Sequence, residues 1–182
     1  METTKPKLLC VDDESDNLDA LERLFRKKYE VLKATSAAKA FEILDNCPDI
    51  AVIISDQRMP VISGVEFLEK SIASHINTSR ILLTGYTDIE SVIAAVNKGQ
   101  IFRYLTKPWD AADLTNTTDQ ALEKYLLKTE LKEKNNELQK ALDELKSLDK
   151  AKNQFMILIN HELKTPLTTI LSFAGLLKET LL

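Results

Sequence analysis

Five short apolar runs punctuate the first 120 residues: Lys7 to Val11, Glu30 to Ala34, Ile50 to Ser55, Ile81 to Thr84 and Phe102 to Leu105. Each is rich in Val, Ile, Leu or aromatic residues and is bounded by polar ones, which predicts a strand. Between them apolar positions recur at helical spacing. Leu18, Leu21, Leu24 and Phe25 form one stripe, Ala37, Ala40, Phe41 and Leu44 a second, and Ile89, Val92, Ile93 and Val96 a third that Gly99 closes as a left-handed cap. A shorter helix is expected after Gly64. Strands alternating with amphipathic helices are the pattern of a parallel sheet covered on both faces, so the fold class is α/β, a doubly wound five-stranded parallel sheet.

The texture changes after Trp109. From Ala111 to Asn160 there is neither Gly nor Pro, and Ala, Leu, Glu and Lys dominate the later half, which predicts one long helix. Leu127, Leu131, Leu138, Ala141, Leu145, Leu148, Phe155 and Ile159 fit an a/d frame interrupted by Lys134 and Lys152, and a rival frame uses Asn135 and Leu142. The flanking charges do not choose between them. Beyond Ile159 the stripe shifts to Leu163, Leu167, Ile170, Ala174 and Leu177, as a stutter near His161 produces, and Pro166 should kink the helix.

Composition narrows the classes. Hydrophobic residues make up 44% and charged residues 29% of the 182, so the chain can bury a core, and the charge of −4 divides into 14 basic against 19 acidic residues up to 120 and 10 against 9 beyond. Neither part attracts a phosphate backbone, so no nucleic-acid partner is expected. The runs Ile50 to Ile54 and Phe155 to Ile159 are five residues each, far short of the roughly 18 that a membrane span needs. Cys10 and Cys47 make neither a disulfide framework nor a metal cluster, and a cytoplasmic location with no membrane partner is the expectation.

The candidate chemistry falls at strand ends. Asp12 and Asp13 follow the first strand, Asp56 the third, Thr84 ends the fourth, and Lys107 with Pro108 follows the fifth. A doubly wound sheet gathers such positions at its carboxyl edge, where it binds ligands. Any one of these acids alone is an ordinary turn or cap residue. Three carboxylates in one crevice call for a hard cation, for which Mg²⁺ is suited and Mn²⁺ can substitute. One carboxylate can then attack phosphorus while the Lys107 ammonium balances charge on the phosphoryl oxygens.

In order and spacing, V-D-D-E, S-D-Q-R-M-P, L-L-T-G and Y-L-T-K-P resemble the receiver domain of two-component response regulators, over residues 5 to about 122. The resemblance implies a flavodoxin-like fold with Asp56 as phosphoacceptor. It also implies Mg²⁺ on Asp12, Asp13, Asp56 and the backbone carbonyl of Arg58, Lys107 on the phosphate, Thr84 and Tyr104 as a switch pair, and Pro108 as a cis proline. Trp109 is expected to cap the sheet edge.

A second motif lies on the long helix. Ile159, Leu163 and Leu167 face inward, so His161 faces out with Glu162 beside it, an imidazole able to attack phosphorus next to a carboxylate able to take its proton. H-E-L-K-T-P-L resembles the phosphoacceptor box of sensor histidine kinases. By that resemblance His161 accepts a phosphoryl group, Glu162 assists, and Thr165 orients a water in the phosphatase direction. The chain ends at Leu182 inside the first helix of that domain, with no ATP site, so ATP belongs to a missing kinase domain and ATP alone should not phosphorylate this chain.

The organisation read from sequence is therefore a receiver domain over 1–122, a coiled-coil linker helix over 123–150 and a truncated dimerisation and phosphoacceptor helix over 151–182, as in the amino-terminal piece of a hybrid histidine kinase. A parallel homodimer and a phosphodonor histidine kinase or phosphotransfer protein are the expected partners. From Asp113 to His161 a straight helix rising about 1.5 Å per residue spans roughly 70 Å, which disfavours direct transfer within one chain and favours a switch acting through the coiled coil. The alternative is a phosphotransfer intermediate or phosphate sink served by a separate kinase.

Overall fold

The computed structural model describes residues 5–85 and 101–180, with side chains described as far as residue 172 except at 165 and 169. Five strands, β1 (Lys7–Val11), β2 (Glu30–Ala34), β3 (Ile50–Asp56), β4 (Ser79–Thr84) and β5 (Arg103–Thr106), pair in parallel in the order β2-β1-β3-β4-β5. Helices α1 (Ser15–Phe25), α2 (Ala37–Asn46) and α3 (Gly64–Lys70) connect the early strands, and α4 (Ala111–Thr180) follows β5.

Alternation along each strand divides the core between the two faces. Leu8 and Cys10 of β1 join Leu18, Leu21 and Phe25 of α1 with Leu114, Ala121 and Leu122 of α4. Leu9 and Val11 turn the other way, to Ala37, Ala40 and Leu44 of α2 and Phe67 and Leu68 of α3. Every residue of β3 is buried, which is why that strand reads as an unbroken apolar run ending in Asp56. The helix starts are set locally. Ser36 Oγ accepts from Lys39 N, Ser63 and Glu66 form a reciprocal capping box, and Asp110 Oδ1 accepts from the N–H groups of Ala112 and Asp113.

β1 and β2 have the expected bounds, and β3 extends one residue further, to Asp56. β4 begins two residues earlier than its apolar run, because Ser79 and Arg80 enter the sheet and are buried although polar. β5 is displaced by one residue: Phe102 N donates to Arg80 O at 2.7 Å just ahead of the strand, and Thr106 pairs with Thr84. The expected helix of Ile89, Val92, Ile93 and Val96 and its Gly99 cap lie outside the described residues.

The chain forms two compact units, Met1–Leu131 and Lys132–Leu182. In the second, α4 carries Leu138, Leu145, Leu148 and Phe155 exposed, and the helix continues through Pro166. No described helix is long and apolar enough to cross a membrane.

Candidate functional site

The carboxyl edge of the sheet is built by β1, β3 and β5. Asp12 leaves β1 and is 1% exposed; its Oδ1 accepts from Glu14 N at 2.9 Å, and Asn17 Nδ2 donates to both carboxylate oxygens at 3.1 Å. Asp56 ends β3 and is 7% exposed, with Oδ2 accepting from Arg58 N at 2.7 Å. Lys107 comes from the turn after β5, where its N–H donates to Thr84 O and its peptide bond to Pro108 is cis, as expected. Its Nζ lies 2.6 Å from Asp56 Oδ1 and 3.1 Å from Asp12 Oδ2.

Burial is the largest single influence on the Lys107 amine and works against its charge. Hydrogen bonds to Asp56 and then Asp12 outweigh it, so its pKa lies above the ordinary 10.5. The ammonium offsets two nearly buried carboxylates that would otherwise repel.

Asp13 is exposed, and no three described His, Cys, Asp or Glu side chains are grouped as a metal site. The charge balance assigned to a cation from sequence is struck here by Lys107 against Asp12 and Asp56. Because carboxylate and carbonyl oxygens suit a hard cation, the donor chemistry of Asp12, Asp13, Asp56 and the Arg58 carbonyl fits Mg²⁺.

Thr84 is buried at the end of β4, and its Oγ1 donates to Gly85 O at 3.2 Å. Tyr104, opposite Leu82 in the β4–β5 register, packs half-buried on the α2–α3 side of the core, while Trp109 packs half-buried on the α1–α4 side. His161 and Glu162 are exposed on α4 in the second unit, and the side chain of Thr165 lies outside those described.

Three contributors have no role assigned from sequence, although Gln57 lies within S-D-Q-R-M-P. Asn17 holds Asp12 from the first turn of α1. Gln57 ties the loop after Asp56 to its neighbours: its N–H donates to Leu83 O, its carbonyl accepts from Gly64 N, and its Oε1 accepts from Val65 N. Gly64 is required by space, since a Cβ there would overlap the Asp56 carbonyl oxygen and press on Leu82 Cδ1. The sequence signal for Gly64 is its place at the head of α3.

A doubly wound parallel sheet with two buried aspartates and a lysine converging at its carboxyl edge defines a class of α/β domain with an acidic ligand crevice. Residues 8–119 match the response regulator receiver domain, and the chain belongs to that family. It is 41% identical over 123 residues to the hydrogenase transcriptional regulatory protein HoxA of Cupriavidus necator, covering 68% of this chain and 25% of that protein. It is 27% identical over 201 residues to hybrid signal transduction histidine kinase D of Dictyostelium discoideum, covering 95% of this chain and 13% of that one. A crystal structure of a response regulator receiver domain protein from Clostridium thermocellum superimposes with a TM-score of 0.64 at 35% identity, covering 67% of this chain and 98% of that one. The chain thus spans about a quarter or less of the length of these two curated relatives.

Proposed function

We propose that Asp56 accepts a phosphoryl group from a phosphohistidine or small acyl phosphate donor, and that the phosphorylated receiver regulates, through α4, a histidine kinase module whose own phosphoacceptor is His161. The observation that supports this most is the placement of Lys107 Nζ within reach of both Asp56 and Asp12 at the carboxyl edge. One Asp56 carboxylate oxygen attacks phosphorus, the new O–P bond forms as the donor's P–N or P–O bond breaks, and the donor leaves with the electron pair. Lys107 then transfers its contact from the Asp56 carboxylate to a phosphoryl oxygen. Mg²⁺ held by Asp12, Asp13, Asp56 and the Arg58 carbonyl supplies charge neutralisation when bound.

Among the described residues the Thr84 hydroxyl donates to the neighbouring Gly85 carbonyl, a bond it is able to exchange for one to a phosphoryl oxygen, and half-buried Tyr104 is able to follow inward. The histidine kinase part of the reading rests on the motif at His161, Glu162 and Thr165 and on the likeness to the Dictyostelium kinase along nearly the whole chain. A parallel homodimer is supported by the exposed Leu127, Leu131, Leu138, Leu145, Leu148 and Phe155 on α4. A cytoplasmic location and the absence of a nucleic-acid partner belong to the same reading.

The test is acetyl phosphate with Mg²⁺, followed by intact mass, on wild type and Asp56→Asn, with light scattering in the presence and absence of beryllofluoride. Phosphoryl uptake lost in Asp56→Asn, with a dimer that responds to beryllofluoride, is the expected result. Uptake without any response of mass or shape overturns the regulatory part and leaves a phosphotransfer intermediate or sink. Uptake unchanged in Asp56→Asn overturns the acceptor assignment.

A further inference from the structure

Arg80 is 5% exposed, yet it has no carboxylate partner among the described residues. Its Nε donates to Ser71 Oγ, one terminal nitrogen to Thr78 O, and the other to Ser71 O and His75 O. Those neutral acceptors satisfy protons but do not cancel the charge, and burial lowers the guanidinium pKa to about 10. Lys128 is held below its ordinary value first by burial and then by Lys124 and Arg80, so three cations share one neighbourhood.

They line a cavity of about 230 Å³ with Ser79, Thr78, Phe102 and Ile72, and no described lining residue is acidic. Lys124 is steadied over the Phe102 ring at 4.9 Å. Ser79 is 4% exposed, and its Oγ is one of two buried side-chain polar atoms without a hydrogen-bond partner among the described residues. A buried hydroxyl without a partner and an uncompensated guanidinium are each costly alone, and a single multiply charged oxyanion satisfies both.

We propose that this cavity binds a small phosphate-class oxyanion, with Arg80, Lys124 and Lys128 supplying the positive charge and Ser79 Oγ donating a hydrogen bond. A doubly charged, many-oxygen ion fits three cations from two elements better than a single carboxylate does, and the volume suits a compact ion. The site is separate from Asp56. Ser79 is level with Val52 in the β3–β4 register, so four strand residues, about 13 Å, separate it from the carboxyl edge. Because Ser79 and Arg80 belong to β4 while Lys124 and Lys128 belong to α4, the bound ion ties the start of β4 to α4 within the first unit.

The test is calorimetric titration without Mg²⁺ using inorganic phosphate, pyrophosphate and glycerol 3-phosphate, with chloride at matched ionic strength as the control. Wild type, Asp56→Asn, Ser79→Ala and the double variant Lys124→Gln/Lys128→Gln are compared, because replacing buried Arg80 risks the fold. Saturable one-to-one binding near or below about 1 mM is expected in wild type and Asp56→Asn, weakened at least about tenfold in the double variant and less in Ser79→Ala. Preference for inorganic phosphate or pyrophosphate assigns the site to a free ion, and preference for glycerol 3-phosphate assigns it to a phosphate monoester. Absence of saturable binding, binding unchanged in the double variant, or binding lost in Asp56→Asn alone overturns the proposal.

Discussion

Lys107 Nζ stands 2.6 Å from Asp56 Oδ1, close enough that the fifth strand's turn holds the carboxylate at the end of the third. The same ammonium reaches Asp12 at 3.1 Å, so one positive charge offsets two carboxylates that are almost out of water. Replacing Lys107 by Met should therefore reduce stability at neutral pH without Mg²⁺ by about 2 kcal/mol, a value discounted from a fully buried pair because a third of the lysine is exposed. Urea unfolding of both proteins checks this. The deficit should shrink on adding Mg²⁺, which supplies positive charge to the same carboxylates. The folded pKa of Lys107 is raised, so its contribution is complete below 10.5 and is lost as pH climbs through the higher folded value; the two proteins should converge only there on the alkaline side.

Gly64 should not accept a methyl group. Its added Cβ meets the Asp56 carbonyl oxygen, which belongs to backbone and cannot swing aside. Gly64→Ala is expected to cost about 2 kcal/mol and to slow phosphoryl uptake from acetyl phosphate, because relief of the overlap moves Asp56, the acceptor proposed above. A variant with wild-type unfolding midpoint and uptake rate would contradict that placement.

Val61 occupies the left-handed region at φ 75° with its side chain fully exposed, and Ile62 N donates across it to Pro60 O at 2.9 Å, closing a three-residue turn. A β-branched residue is unfavourable there and buries nothing in return. Val61→Asn should raise stability by about 1 kcal/mol, whereas Val61→Ile should leave it unchanged. Thermal or denaturant midpoints for the pair decide between strain at this position and indifference to it.

The two thiols should differ sharply. Cys10 is fully buried in β1 and burial pushes its pKa upward, while Cys47 is half-buried after α2. A thiol-specific reagent at neutral pH is expected to modify Cys47 alone in the folded protein, with Cys10 reacting only after denaturant is added. Rapid modification of both without denaturant would mean that the sheet opens far more readily than its packing implies.

Much of the sheet was legible because a strand covered on both faces must be apolar along its whole length. The apolar runs of β3 and of Leu8 to Val11 in β1 follow from that requirement, the core positions Leu18, Leu21, Ala37, Ala40 and Leu44 follow from helical spacing, and β2, at the sheet edge with Glu30 and Lys33 exposed, was marked by Val31, Leu32 and Ala34. Legibility failed where a polar residue is buried. Arg80 can lie buried in β4 because carbonyls and a hydroxyl from the segment after α3, at Ser71, His75 and Thr78, receive its guanidinium, and that shell is assembled only when the segment and the strand come together.

The acidic crevice divides in the same way. The order of Asp12, Asp13, Asp56, Thr84 and Lys107 along the chain places them at strand ends, and parallel pairing sends strand ends to one edge; both are properties of the sequence. Which groups then touch depends on distances of a few tenths of an ångström that no spacing encodes. The tertiary structure puts the Lys107 ammonium against Asp56 and Asp12, leaves Asp13 exposed, and recruits Asn17, Gln57 and Gly64 to hold the edge in shape. Periodicity and backbone pairing are local or repeating, so sequence determines them. The balance of buried charge depends on which side chains meet after the chain has folded, and only the tertiary structure decides that.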